Sequence, residues 1–114
     1  MPYLKIETNE RLDEATAQEL LKKASALTAE LLGKPEKWIM VTIYQGKPMI
    51  FDGNTQPAAF VELKSIGLAQ DMCAGLSRAL CDFLKEELGI EPERVYIEFW
   101  DINKKMFGWN GGTF

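Results

Sequence analysis

Leu32-Gly33-Lys34-Pro35-Glu36-Lys37-Trp38 and Leu88-Gly89-Ile90-Glu91-Pro92-Glu93-Arg94-Val95 are one signal written twice, with a single insertion. Each closes a helical pattern with Leu-Gly, passes through Pro-Glu-Lys/Arg and enters aromatic or β-branched residues. Upstream of the first copy, Leu20, Ala24, Leu27 and Leu31 recur at helical spacing behind Asp13, a good amino-terminal cap, which predicts a helix from about Glu14 to Leu32. Upstream of the second, Met72, Cys73, Leu76, Leu80, Phe83 and Leu84 predict a helix from about Ala69 to Leu88. Strands are expected at Pro2 to about Thr8, Trp38–Tyr44, Ala58–Ser65 and Val95–Trp100, with a loop through Gln45-Gly46-Lys47-Pro48 and Asp52-Gly53-Asn54. The expectation is one domain over residues 1–114, built from a β-α-β unit repeated over about 2–54 and 58–102.

Right-handed crossovers pair the strands of each unit in parallel beneath one helix. The outer strands are apolar on both faces: Val95, Ile97 and Phe99 oppose Tyr96 and Trp100, while Ile39, Val41 and Ile43 oppose Trp38, Met40 and Tyr44. With both helices on one face of a four-stranded sheet, the other face has no cover within the chain. A homo-oligomer burying that face is therefore expected, with the tail Lys104 to Phe114 available as a short strand for a neighbour.

Composition narrows the chemistry. The chain has no histidine, which removes imidazole-based triads and most zinc and iron sites. A net charge of -4, with its 13 basic residues dispersed, argues against a nucleic-acid partner. No apolar run is long enough to span a bilayer, and no basic-then-apolar leader opens the sequence, so no membrane partner and a cytoplasmic location are expected. Cys73 and Cys81 fall on one predicted helix with Cα atoms ~12 Å apart, beyond the ~7 Å limit of a disulfide, and are expected as buried thiols.

The candidate reactive group is at the start of the chain. Pro2 follows a methionine that aminopeptidases remove when the second residue is small, and it opens the alternating strand Tyr3-Leu4-Lys5-Ile6. A secondary amine held at a strand end among apolar side chains is partly desolvated, which lowers its pKa from the ~8 of an ordinary α-amino group and makes it a usable base near neutrality. Taken alone, Pro2 is also compatible with being a tolerated second residue.

Met1-Pro2, Thr8-Asn9, Gly33-Lys34-Pro35, Ser65-Ile66-Gly67, Pro92-Glu93-Arg94-Val95-Tyr96-Ile97, Asp101-Ile102-Asn103, Gly108-Trp109-Asn110 and Thr113-Phe114 occur in this order along the whole chain. Together they resemble the macrophage migration inhibitory factor (MIF) branch of the tautomerases. The resemblance implies an α/β fold, a four-stranded mixed sheet with two helices on one face, assembled as a homotrimer with a site at each subunit boundary. It implies a cofactor-independent keto-enol tautomerase, an isomerase acting on phenylpyruvate-like, and in some cases dopachrome-like, aromatic keto/enol acids, with Pro2 as catalytic base. Lys34 matches the lysine that binds the substrate carboxylate and lowers the amine pKa; otherwise it reads as a solvated helix-terminal cation. Ile66 matches the residue whose backbone N–H faces the substrate, with core packing as the alternative. Tyr96 matches the tyrosine supplied by the adjacent subunit, and strand alternation puts Glu98 on its face. Tyr3, Phe107, Trp109 and Phe114 become the aromatic wall, or otherwise ordinary core.

Two positions depart from the family pattern. Glu98 stands where animal members usually have asparagine, and its carboxylate opposes an acid substrate and raises a nearby amine pKa. Pro57-Ala58-Ala59-Phe60 replaces the Cys-x-x-Cys, so thiol-disulfide exchange is not expected. With Met1 in place, the Pro2 nitrogen is a tertiary amide without a basic lone pair, and Met1 is expected at the pocket mouth. The competing functional class is a cytokine-like, protein-binding trimer with vestigial activity, whose receptor the sequence does not name.

Overall fold

The computed structural model describes residues 1–114. Strand β1 (Tyr3–Thr8) leads to helix α1 (Glu14–Leu32), and β2 (Met40–Tyr44) closes the first unit. Strand β3 (Ala59–Ile66), helix α2 (Cys73–Leu88) and β4 (Val95–Ile102) repeat that order. The tail forms the two short strands β5 (Gly108–Trp109) and β6 (Gly112–Thr113).

The sheet runs β2-β1-β3-β4, with β1/β2 and β3/β4 parallel and the two units joined by antiparallel β1/β3. Alternation decides which face is buried. Leu4, Ile6, Val61 and Leu63 point toward the helices and meet Ala24 of α1 and Leu76, Leu80 and Leu84 of α2 in one core. Asp13 Oδ1 accepts from Thr16 N–H at 2.7 Å to start α1. Gly33 and Gly89, at φ +63° and +68°, end the two helices in the left-handed conformation that favours glycine.

Several boundaries move for identifiable reasons. Both Pro-Glu segments of the repeat form 3-10 turns, Glu36–Trp38 and Pro92–Arg94. Trp38 N–H donates to Pro35 O at 3.1 Å and Ile39 N–H to Glu36 O at 3.0 Å, so these amides serve the turn and β2 begins at Met40 rather than Trp38. A similar turn, Gln70–Met72, precedes α2, which begins at Cys73 rather than Ala69. Strand β3 is shifted one residue along, and β4 runs on to Ile102 because all eight residues of each pair in register.

The cysteines are partly exposed rather than buried. The tail strands β5 and β6 pair with each other as a short hairpin. Asn110 and Gly111, at φ +50° and +79°, make the two-residue turn between them.

The face away from the helices is uncovered, but it is not uniformly apolar. Met40, Tyr96 and Trp100 are 64%, 62% and 46% exposed on the outer strands. The central strands carry Lys5, Glu7 and Glu62 there, with Lys5 Nζ 3.0 Å from Glu7 and 3.6 Å from Glu62. No helix is long and apolar enough to cross a membrane.

Candidate functional site

The register of β1 against β3 pairs Tyr3 with Lys64, so Pro2 continues the ladder opposite Ser65. Pro2 is buried, and its carbonyl accepts from Met40 N–H at 3.0 Å, which ties it to the start of β2. It lines a cavity of about 590 Å³. Met1 and Tyr3 flank it there, Trp38, Ile39 and Met40 form the wall on the β2 side, and Phe107, Trp109 and Phe114 come from the tail. Met1 lies at the cavity, where the sequence places an unprocessed methionine.

The tail hairpin reaches this position through aromatic contacts. Trp38 meets Trp109 edge-on at 4.8 Å and Phe114 at 5.7 Å. Phe114 stacks on Trp109 at 5.9 Å and meets Phe107 edge-on at 6.0 Å. Such pairs contribute ~0.5–1.5 kcal/mol each beyond the area they bury. Phe114, in three of these four pairs, is therefore the hub of the wall, and Trp38 ties the tail to the β2 side, a role its sequence position concealed. Tyr3 contributes to the lining, but its hydroxyl is engaged with Thr42 Oγ1 at 2.7 Å on the open sheet face.

Lys34 follows the left-handed Gly33, which turns its side chain across the end of β3. Its Nζ donates to Ser65 Oγ at 2.9 Å and to Ile66 O at 2.6 Å. Burial lowers its pKa, while Asp101 opposes that shift. Asp101 Oδ1 also accepts from Gly67 N–H at 3.1 Å and Leu68 N–H at 3.2 Å, fixing the turn that carries Ile66. The Met1 ammonium is held below the ordinary α-amino value, first by burial and then by the charge of Lys34. The amino terminus, Lys34 and the Ser65–Gly67 turn thus share one electrostatic neighbourhood. Ile66 belongs to it through its carbonyl.

Tyr96 and Glu98 do not join this cluster within one chain. Tyr96 registers with Phe60, which registers with Glu7, placing it about 17 Å along the strands from Pro2 and two strand spacings of about 4.8 Å sideways. Tyr96 packs instead on Phe51 at 4.8 Å, and Glu98 Oε1 accepts from Trp100 Nε1 at 3.0 Å. The Phe51 loop is held by Arg94, which donates to the carbonyls of Pro57 (2.9 Å), Phe51 (3.1 Å), Gln56 (3.0 Å) and Asn54 (3.3 Å). These side chains can meet a Pro2 cavity only on another copy of the chain. Besides Trp38, the sequence reading passed over Lys64, Ile102 and Met106 as lining residues.

Chemically, the arrangement offers an amine of lowered basicity beside an aromatic cavity, with a lysine ammonium close enough to influence that amine. The profile of the family described as macrophage migration inhibitory factor (MIF) matches residues 1–114. A macrophage migration inhibitory factor homolog of Brugia malayi is 38% identical over all of this chain and 99% of its own length. The macrophage migration inhibitory factor of Xenopus tropicalis is 36% identical over the same shares. Among solved structures, a homologue from Prochlorococcus marinus superposes with a TM-score of 0.92 at 41% identity, covering 98% of both chains. The Trichinella spiralis protein does so at 0.90 and 35% identity, covering 98% of this chain and 99% of its own. In sequence and fold alike, the chain belongs to the macrophage migration inhibitory factor family.

Proposed function

We propose that this protein is a cofactor-independent keto-enol tautomerase of phenylpyruvate-like acids, working as a homotrimer with Pro2, freed of Met1, as its base. The observation that carries this reading is the buried Pro2 at the wall of an aromatic cavity, with Lys34 close enough to lower the basicity of the Met1 amine that precedes it. Pro2 nitrogen takes a proton from the carbon next to the ketone and returns one to the oxygen; the reverse reaction starts at the enol hydroxyl. Lys34 receives the carboxylate and disfavours protonation of Pro2, and the Ile66 N–H faces the bound acid. Trp38, Phe107, Trp109 and Phe114 exclude water and stack on the aryl ring, with Tyr3 at the edge of that wall. Tyr96 and Glu98 arrive from the neighbouring subunit, whose sheet also covers the open face.

The test is an ultraviolet assay of phenylpyruvate tautomerisation, using protein shown by intact mass to lack Met1, beside Pro2→Gly. A loss of about 10²- to 10⁴-fold in Pro2→Gly is expected, the range of general-base contributions. Equal rates would favour the protein-binding reading.

A further inference from the structure

The charges on the open sheet face do not balance locally. Lys5 is shared by Glu7 and Glu62 across β1 and β3, a cluster with one surplus negative charge. Lys64 and Glu98 are left over, neither within ion-pair distance of an opposite charge. Each contacts Trp100 instead. Lys64 Nζ lies 5.5 Å from the ring centre, and Glu98 accepts from the indole N–H at 3.0 Å. Trp100 thus carries a cation over its ring and an anion at its indole edge.

We infer that Lys64 of one copy pairs with Glu98 of the next, forming part of the cavity wall at the boundary between them. This rests on the proposed assembly. Burying either charge unpartnered would carry a large desolvation cost, so whatever covers that face must bring an anion to Lys64 and a cation to Glu98. A second copy of this chain carries that complement, because each copy has one of each to offer. Lys64 already lines the Pro2 cavity, the place to which a neighbour would bring Glu98 together with Tyr96. Lys37 also lines the cavity, but it is exposed in the 3-10 turn and lies over Trp38, away from the open face. The pair explains how a carboxylate is accommodated beside an acid-binding site: Lys64 neutralises Glu98, so it does not repel the substrate. Lys64 is accordingly a positioning residue.

The experiment uses the unmodified protein. Chains with natural-abundance nitrogen and with nitrogen-15 are mixed equally, refolded together and treated with a water-soluble carbodiimide, which joins a carboxylate to a contacting amine as an amide with loss of water. The Lys64–Glu98 peptide pair is expected with mixed isotopes in about half of its copies, as random assembly requires. The Lys5–Glu7 pair is the control and carries one isotope only. A Lys64–Glu98 link found only within single-isotope pairs would overturn the inference. So would its absence while the control link forms.

A kinetic cycle adds an independent readout. Lys64→Gln is expected to raise KM for phenylpyruvate about tenfold by leaving Glu98 uncompensated, and adding Glu98→Gln should restore it. Additive effects would contradict the pairing. Mixed-isotope links in a protein without turnover would sink the tautomerase reading and leave the pair standing.

Discussion

Replacing Lys34 with methionine separates the roles assigned to its ammonium. The substitution keeps a long aliphatic side chain and removes the two hydrogen bonds to Ser65 Oγ and Ile66 O. Because Lys34 is only partly buried, water can replace part of what is lost, and the cost to stability is about 1 kcal/mol, or roughly 4 °C in melting temperature. The cost to substrate binding is larger. A charge-assisted hydrogen bond to a carboxylate contributes about 1.5–3 kcal/mol, which corresponds to a fall in kcat/KM of roughly 10- to 150-fold, mostly through KM.

The acid limb of the pH profile also moves. In the unprocessed chain burial and then the Lys34 charge lower the basicity of the Met1 amine; the same charge acting on the freed Pro2 amine means that without it the amine stays protonated to higher pH and the limb shifts upward. Lys34→Arg retains the charge and should leave the limb in place while raising KM moderately. Steady-state phenylpyruvate kinetics across pH, with thermal melts alongside, read all of these effects. A melting-temperature loss with unchanged KM and an unmoved acid limb would refute the catalytic assignment and leave Lys34 as a tie across the end of β3.

Inserting alanine between Met1 and Pro2 leaves the proline nitrogen acylated after processing, and tautomerisation should fall to the level of Pro2→Gly while native mass spectrometry gives an unchanged subunit number. Trp38→Ala removes two edge contacts that hold the tail hairpin, costing about 1–3 kcal/mol; faster amide exchange at Trp109 and Phe114 and a raised KM for aryl substrates are expected. Arg94→Ala frees four backbone carbonyls of the Phe51 loop, and the expected loss of about 1–2 kcal/mol can be measured by denaturant unfolding.

The architecture was legible because its signals are local and repeated. The Leu-Gly endings identify Gly33 and Gly89 as left-handed caps, and the alternation of β1, with the partial alternation of β3, agrees with Leu4, Ile6, Val61 and Leu63 facing the core. Trp38 was misplaced because aromatic character argued for a strand, while the hydrogen bonds of the Pro35–Ile39 segment, invisible to composition, spend its amide in a turn. The tail hairpin did carry a readable sign, Asn110-Gly111, the favoured pair for a turn with positive φ at both positions. Glu98 and Lys64 could each be assigned a face, but their significance appears only when charges on four strands are counted together. Tyr96 could not be joined to Pro2 by folding one chain, since the sheet itself separates them.

The most direct measurement is an NMR titration of the imino nitrogen in protein labelled with nitrogen-15 proline and freed of Met1. The account predicts a midpoint below the ~8 of an ordinary α-amino group, moving upward in Lys34→Met. A midpoint at or above that ordinary value, unaffected by Lys34, would contradict it.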